Sequence, residues 1–312
     1  MAENRWNRLS PFQTVSYTKP FLHRAYANSN VENPEKQSYR NSYPFLYYLQ
    51  HGKKHYELAG KAPVELRPLL LFYGFTQLIK ACLLTVDPDY PKTTSVLAHG
   101  VSTRKKKKKN YRFFTDEVRI QKFGLVTHFA EQLFGRKNLD GIKFSMRDLL
   151  ERIPDLNDLF TDLDFEAPFY LLTKENDGKR MTLSNAILDD LHMTGHRFVE
   201  FLNRKRFGPA AFGAETKKTI ALHVEGSIAC PTSLSNRKYL PRKKTHYDGL
   251  PEMVVHCLLL YNLSMICRYE TEWWNELFHH ASAEELPFIT SFLDVTEKKI
   301  PLLVERYLRS LM

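Results

Sequence analysis

The side chains with the clearest chemistry in this chain are cations. Arg104, Lys105, Lys106, Lys107, Lys108, Lys109 and Arg112 place seven positive charges in nine positions, just downstream of His99-Gly100. Without them the formal net charge would fall from +10 to +3, so most of the basicity is local. Like charges repel one another and do not fold onto a core, so such a run is either a solvated loop or a face that attracts an anion. Tyr111, Phe113 and Phe114 follow directly. Cations for phosphates beside rings for bases would make a polyanion site, and the competing reading is a loop that only aids solubility. A second basic segment holds Arg237, Lys238, Arg242, Lys243, Lys244 and His246, and enters an apolar run through Asp248-Gly249-Leu250-Pro251. Arginines beside the free backbone N–H groups of a helix entrance suit a phosphate, although an exposed connector would look the same.

Two further cations sit in apolar surroundings. Lys80 lies inside the run 66–84, and Arg268 follows the run 253–267. A cation in such a run must snorkel, find a carboxylate or hold a ligand anion. Pairing of Arg268 with Glu270 or Glu272 is the structural alternative to anion binding. His192 and His196 have i,i+4 spacing with Asp189 and Asp190 nearby, but there is no H-E-x-x-H and Gly195 weakens the helix. Zinc needs both rings on one face and further ligands, so no metal is expected. Arg242 and His246 invite comparison with the Arg/His pair of HEPN-type ribonucleases, whose two members are usually further apart than the three intervening residues here. No G-x-x-x-x-G-K-[ST], G-x-G-x-x-G or G-x-S-x-G occurs. No cofactor and no particular reaction are therefore expected.

These residues must be positioned by a sizeable scaffold. The chain has 312 residues, 43% hydrophobic and 13% aromatic, enough ring area to drive burial. The expected class is α+β, predominantly α-helical: two buried apolar helices at 66–84 and 253–267, with small β-hairpins near 117–129 and 169–183. A short helix near 19–28, a helix start at Asn33-Pro34, a segment over 43–61, a helix capped by Ser184 through Leu202, a strand at 219–224 and C-terminal helices over 251–277 and 284–311 complete the pattern. With no repeat and no Gly/Ser linker, residues 1–312 read as one compact unit, with lobes 1–165 and 166–312 as its natural division. The two apolar runs are interrupted by Arg67, Gln77 and Lys80, and by His256, Asn262 and Ser264. They read as core helices and not as membrane spans. Four scattered cysteines and an N-terminus without an apolar segment point to a cytoplasmic protein with reduced thiols.

Several stretches resemble the YaaC-like family of bacterial proteins. They are Leu71-Phe72-Tyr73-Gly74 with Lys80-Ala81-Cys82-Leu83-Leu84, Thr94-Ser95-Val96-Leu97-Ala98-His99-Gly100, Phe144-Ser145-Met146 with Asp148-Leu149-Leu150, Leu240-Pro241-Arg242, and Leu263-Ser264-Met265-Ile266-Cys267-Arg268-Tyr269-Glu270 with Trp273-Trp274. The resemblance implies a cytoplasmic protein without a catalytic motif, often encoded beside IMP dehydrogenase, and so a link to purine nucleotide metabolism. The combined expectation is a non-enzymatic regulator or adaptor whose basic face binds a nucleotide, an acidic partner enzyme such as IMP dehydrogenase, or both. RNA binding, or a HEPN-like ribonuclease using Arg242 and His246, is the alternative.

Overall fold

A computed structural model describes residues 5–104, 111–175, 180–205, 207, 209–224, 230–280 and 284–312. The elements begin with α1 (Val15–Asn28), α2 (Pro34–Ala59), α3 (Arg67–Leu84), β1 (Val101–Thr103), β2 (Glu117–Ile120), α4 (Leu125–Phe134) and β3 (Lys143–Ser145). Then come α5 (Met146–Leu150), α6 (Asn157–Asp162), β4 (Phe169–Lys174), β5 (Arg180–Ser184), α7 (Ala186–Leu191), α8 (Gly195–Arg204), β6 (Ala210–Glu215), β7 (Thr219–Val224) and β8 (Lys238–Pro241). The chain ends with α9 (Glu252–Tyr269), α10 (Thr271–His280) and α11 (Leu286–Ser310). Predominantly helical α+β is therefore the fold class. Among the described residues, no helix is long and apolar enough to cross a membrane.

The residues group into two compact units: Met1–Leu149 with Met253–Met312, and Leu150–Glu252. The second unit is inserted between the two segments of the first, its ends falling at Leu150 and Glu252.

In the first unit α2 is one long helix, where the sequence suggests two segments. The reason is phase: Ser38, Asn41, Ser42, Phe45, Leu46, Leu49, Gly52, Tyr56 and Ala59 form one uninterrupted inward stripe that passes through Pro44. Helices α3 and α9 are buried on most sides. Phe72 of α3 meets Tyr261 of α9 edge-on, with ring centroids 5.8 Å apart, so the two apolar helices share a core.

The expected hairpin at 117–129 is only half a hairpin. Strand β2 pairs antiparallel with β1 on one side and β3 on the other. Residues 125–129 instead open α4. Leu125, Thr127 and Phe129 alternate in sequence, but the buried set is Leu125, Val126, Phe129 and Ala130, which is helical spacing.

The second unit holds a five-stranded antiparallel sheet in the order β6-β7-β5-β4-β8. The expected hairpin at 169–183 is present as β4 and β5, with Thr173 opposite Thr182; its Asn176-Asp177-Gly178 turn lies outside the described residues. The expected strand at 219–224 is β7. The single helix expected from Ser184 is broken into α7 and α8, because His192 takes a left-handed conformation (φ 53°) and ends the first. Tyr170, Leu172, Leu183, Phe198, Leu202, Leu222 and Leu240 pack into this unit's core.

Candidate functional site

The site is built around the backbone of His99-Gly100. The first two N–H groups of α4 donate to this stretch: Leu125 to the Ala98 carbonyl at 2.7 Å and Val126 to the His99 carbonyl at 3.1 Å. Gly100 has φ +75°, and a β-carbon on it would stand 3.0 Å from the Gly124 α-carbon. Glycine is thus required at both crossing points, for conformation and for space. With its backbone held in this way, the His99 ring sits edge-on to Phe72 at 5.0 Å and to Tyr261 at 5.8 Å.

Two helices each bring a cation within electrostatic reach of His99. Tyr73, Gln77 and Lys80 fall at i, i+4 and i+7 along α3, and all three are half-buried on a helix otherwise largely buried. On α9 the matching face carries Tyr261, Met265 and Arg268. Arg268 Nε donates to the Ser264 carbonyl at 3.0 Å, and Nη1 lies 3.4 Å from the Tyr73 hydroxyl. Lys80 Nζ lies 5.8 Å from the centre of the Tyr48 ring of α2. Among the described residues, no carboxylate forms an ion pair with Lys80 or Arg268.

The expected pairing of Arg268 with Glu270 or Glu272 is not formed. The guanidinium folds back along α9 towards Ser264, Met265 and Tyr73, away from the start of α10.

Electrostatics follow from this arrangement. Burial holds the Lys80 ammonium below its ordinary pKa, with no counter-charge to offset the effect. His99 is held below its ordinary value first by burial, then by the positive charges of Arg268 and Lys80. His51 of α2 is also lowered, by desolvation and then by His55, Lys54 and Lys80. A half-buried group of cations and rings that lacks an acidic partner is a place where a ligand anion would be stabilised.

The other sequence candidates are placed differently. Arg104 is exposed beyond β1. Lys105, Lys106, Lys107, Lys108 and Lys109 lie outside the described residues. Arg112 is exposed and pairs with Glu284 at 3.3 Å and Glu285 at 3.9 Å. The rings expected to anchor a ligand beside this loop do not face solvent: Phe113 and Phe114 are buried. Tyr111 donates to Asp116 at 2.9 Å and packs on Trp273 at 4.7 Å. Their apolar area is consumed by the core, so they are not stacking surfaces.

In the second unit, the basic segment is largely neutralised by its own fold. Arg242 pairs with Glu166, lies 3.1 Å from Asp190 and donates to the Tyr170 hydroxyl at 3.0 Å. Lys243 pairs with Glu151. Lys244 is exposed, and His246 is buried beside it in a short 3-10 turn. His192 and His196 do not share a helical face, since the first ends α7 and the second lies in α8, resting on Phe212 of β6. Among the described residues, no group of three or more His, Cys, Asp or Glu side chains could hold a metal ion.

Of the residues singled out from sequence, the structure thus places Lys80 and Arg268 around His99 and adds Tyr73 and Tyr261. The i, i+4, i+7 run of Tyr73, Gln77 and Lys80 within an apolar helix was the available signal for that face.

No curated protein and no solved structure matches this chain. A family model described as YaaC-like Protein matches residues 10–308, nearly the whole length. The chain belongs to the YaaC-like protein family.

Proposed function

We propose that this is a cytoplasmic, non-enzymatic regulatory protein that binds the phosphate of a nucleotide at Lys80, Arg268 and His99. The observation carrying this reading is that half-buried Lys80 and Arg268 both act on His99, beside rings, and that among the described residues neither forms an ion pair with a carboxylate. Such a face attracts a compact anion, and Tyr48, Tyr73 and Tyr269 offer rings beside it. The 104–112 segment would contribute an electrostatic contact to an acidic partner enzyme, for which the family resemblance suggests IMP dehydrogenase. The ribonuclease reading loses support because Arg242 is committed to Glu166, Asp190 and Tyr170.

Calorimetric titration with purine mono-, di- and triphosphates at two salt concentrations tests the nucleotide reading. One saturable site is expected in the parent protein, strongly weakened in Arg268→Gln and Lys80→Met. Absence of binding, or equal binding in both variants, removes this proposal.

A further inference from the structure

A second surface, away from the charge runs of the sequence, has the makings of a binding platform. Along the outer face of α2, Tyr39, Tyr43 and Tyr47 recur every four residues and are 71%, 52% and 59% exposed. The Tyr43 and Tyr47 ring centroids are 6.1 Å apart. Exposed His51 continues the row. A helix turns so that residues three and four apart are neighbours, which makes this one continuous stripe. From Lys36 to Lys54 it spans about 27 Å of helix.

The charges that α2 itself places among the rings are positive. Lys36 and Lys54, both exposed, bracket the stripe, and Lys19 of α1 places its ammonium 5.4 Å from the centre of the Tyr39 ring. Arg40 also lies along it, paired with Asp89 at 2.7 Å. The sequence of α2 has no acidic residue between Lys36 and Lys54. The next one on, Glu57, is paired with Lys53 at 3.7 Å. Large exposed rings are uncommon on a surface with no partner, since they leave apolar area in water.

We infer that this face of α2 binds single-stranded nucleic acid, with bases stacking on Tyr39, Tyr43, Tyr47 and His51 and backbone phosphates meeting Lys19, Lys36 and Lys54. Two considerations favour a polynucleotide over an apolar protein partner. The rings are tyrosines with polar tips, and they are interleaved with cations. Single-strand binders combine these two elements, a cationic track and a row of rings, over sites of about 4–16 nucleotides. Only His51, at one end of the stripe, is within reach of the Lys80 charge; stacking on Tyr39, Tyr43 and Tyr47 does not depend on what binds at Lys80, Arg268 and His99.

Fluorescence anisotropy of a labelled oligouridylate of about 12 nucleotides, titrated with full-length protein, tests the inference. Binding should weaken about tenfold or more in Tyr43→Ala/Tyr47→Ala, at the ~1–3 kcal/mol per stacked base seen in such sites. It should persist in Tyr43→Phe/Tyr47→Phe, which keeps the rings, and in Arg268→Gln, which alters only the other face. Lys36→Gln/Lys54→Gln should flatten the salt dependence, because fewer counterions are released. Thermal unfolding should be unchanged in these surface variants. No binding by the parent protein, or equal binding by the alanine variant, overturns the inference. So does a parent protein that self-associates through this face, recognised as a dimer in light scattering that the alanine pair dissolves while oligonucleotide binding is unaffected.

Discussion

Gly74 of α3 lies so close to His55 of α2 that a β-carbon on the glycine would stand 2.8 Å from the His55 β-carbon. The same atom would meet the Tyr56 ring at 2.8 Å. This close approach allows Lys80, further along α3, to reach Tyr48 on α2. Gly74→Ala brings two opposing effects. Alanine favours the helix by about 1 kcal/mol over glycine. Overpacking costs about 1–3 kcal/mol, and more where backbone must move. Because the Tyr56 ring is buried and the His55 clash is at the base of its side chain, overpacking should win. A net loss of about 1–2 kcal/mol is expected from urea unfolding. An unchanged midpoint would show that α2 and α3 separate freely and that their spacing does not define the site.

Arg242 illustrates the opposite case, a cation used for structure. Its partners Glu166, Asp190 and Tyr170 belong to the same unit. Tyr170 also donates to Asp190, and its pKa is pushed up to about 12, first by burial and then by that hydrogen bond. Arg242→Ala leaves the Tyr170 and Asp190 pair without its cation. A loss of about 1–3 kcal/mol is expected, with little contribution from the exposed Glu166. Thermal unfolding and nucleotide titration on the same preparation check this. Reduced nucleotide affinity at unchanged stability would move the anion site to the second basic segment.

How much of this was legible in the sequence depends on the distance over which each feature is decided. Helices α3 and α9 were legible because their apolar runs are long and their burial is local to the run. Strands β4 and β5 were legible from alternation on either side of an Asn-Asp-Gly sequence. Helix α4 was not, because Leu125, Thr127 and Phe129 satisfy the strand period while the carbonyls of Ala98 and His99, far upstream, receive the first helical N–H groups. The same limit applies to function. Charge density pointed to Arg242 and Lys243, yet Glu151, Glu166 and Asp190, distant in sequence, neutralise them. Arg268 has adjacent acidic residues, yet its side chain turns back to Tyr73 and leaves them. Whether a cation keeps its charge available is settled by tertiary partners, which spacing does not encode.

Lys80 should be a liability for stability and an asset for binding. Its pKa is lowered by burial, so in the folded state the neutral form is favoured relative to the unfolded chain. The sign follows: the unfolded chain binds the proton more tightly, and stability rises as pH climbs towards the ordinary lysine value of 10.5. At neutral pH the charged group costs stability. Lys80→Met keeps the length of the side chain and removes the charge, so unfolding temperature should stay level or rise. Its gain in stability between neutral and alkaline pH should be smaller than that of the parent protein. Addition of a purine nucleotide should raise the unfolding temperature of the parent and not of the variant. A variant that is clearly less stable would mean that Lys80 has a structural partner.

His99 offers a readout specific to the anion. Its pKa lies below the ordinary 6.5 because of burial, Arg268 and Lys80, while Tyr261 and Phe72 supply rings and no charge. In the free protein, the unfolded chain therefore takes up a proton first as pH falls. The contribution to stability is complete above 6.5 and is lost as pH drops through the interval towards the folded value. A phosphate seated among His99, Arg268 and Lys80 would reverse the balance by stabilising the imidazolium. Binding near about pH 6 should then be accompanied by proton uptake, and affinity should increase on acidification. Calorimetry in two buffers of different ionisation enthalpy measures that proton directly. In His99→Gln the uptake should vanish while residual affinity from Arg268 and Lys80 remains. Nucleotide binding by the parent protein with no buffer-dependent heat would place the phosphate elsewhere.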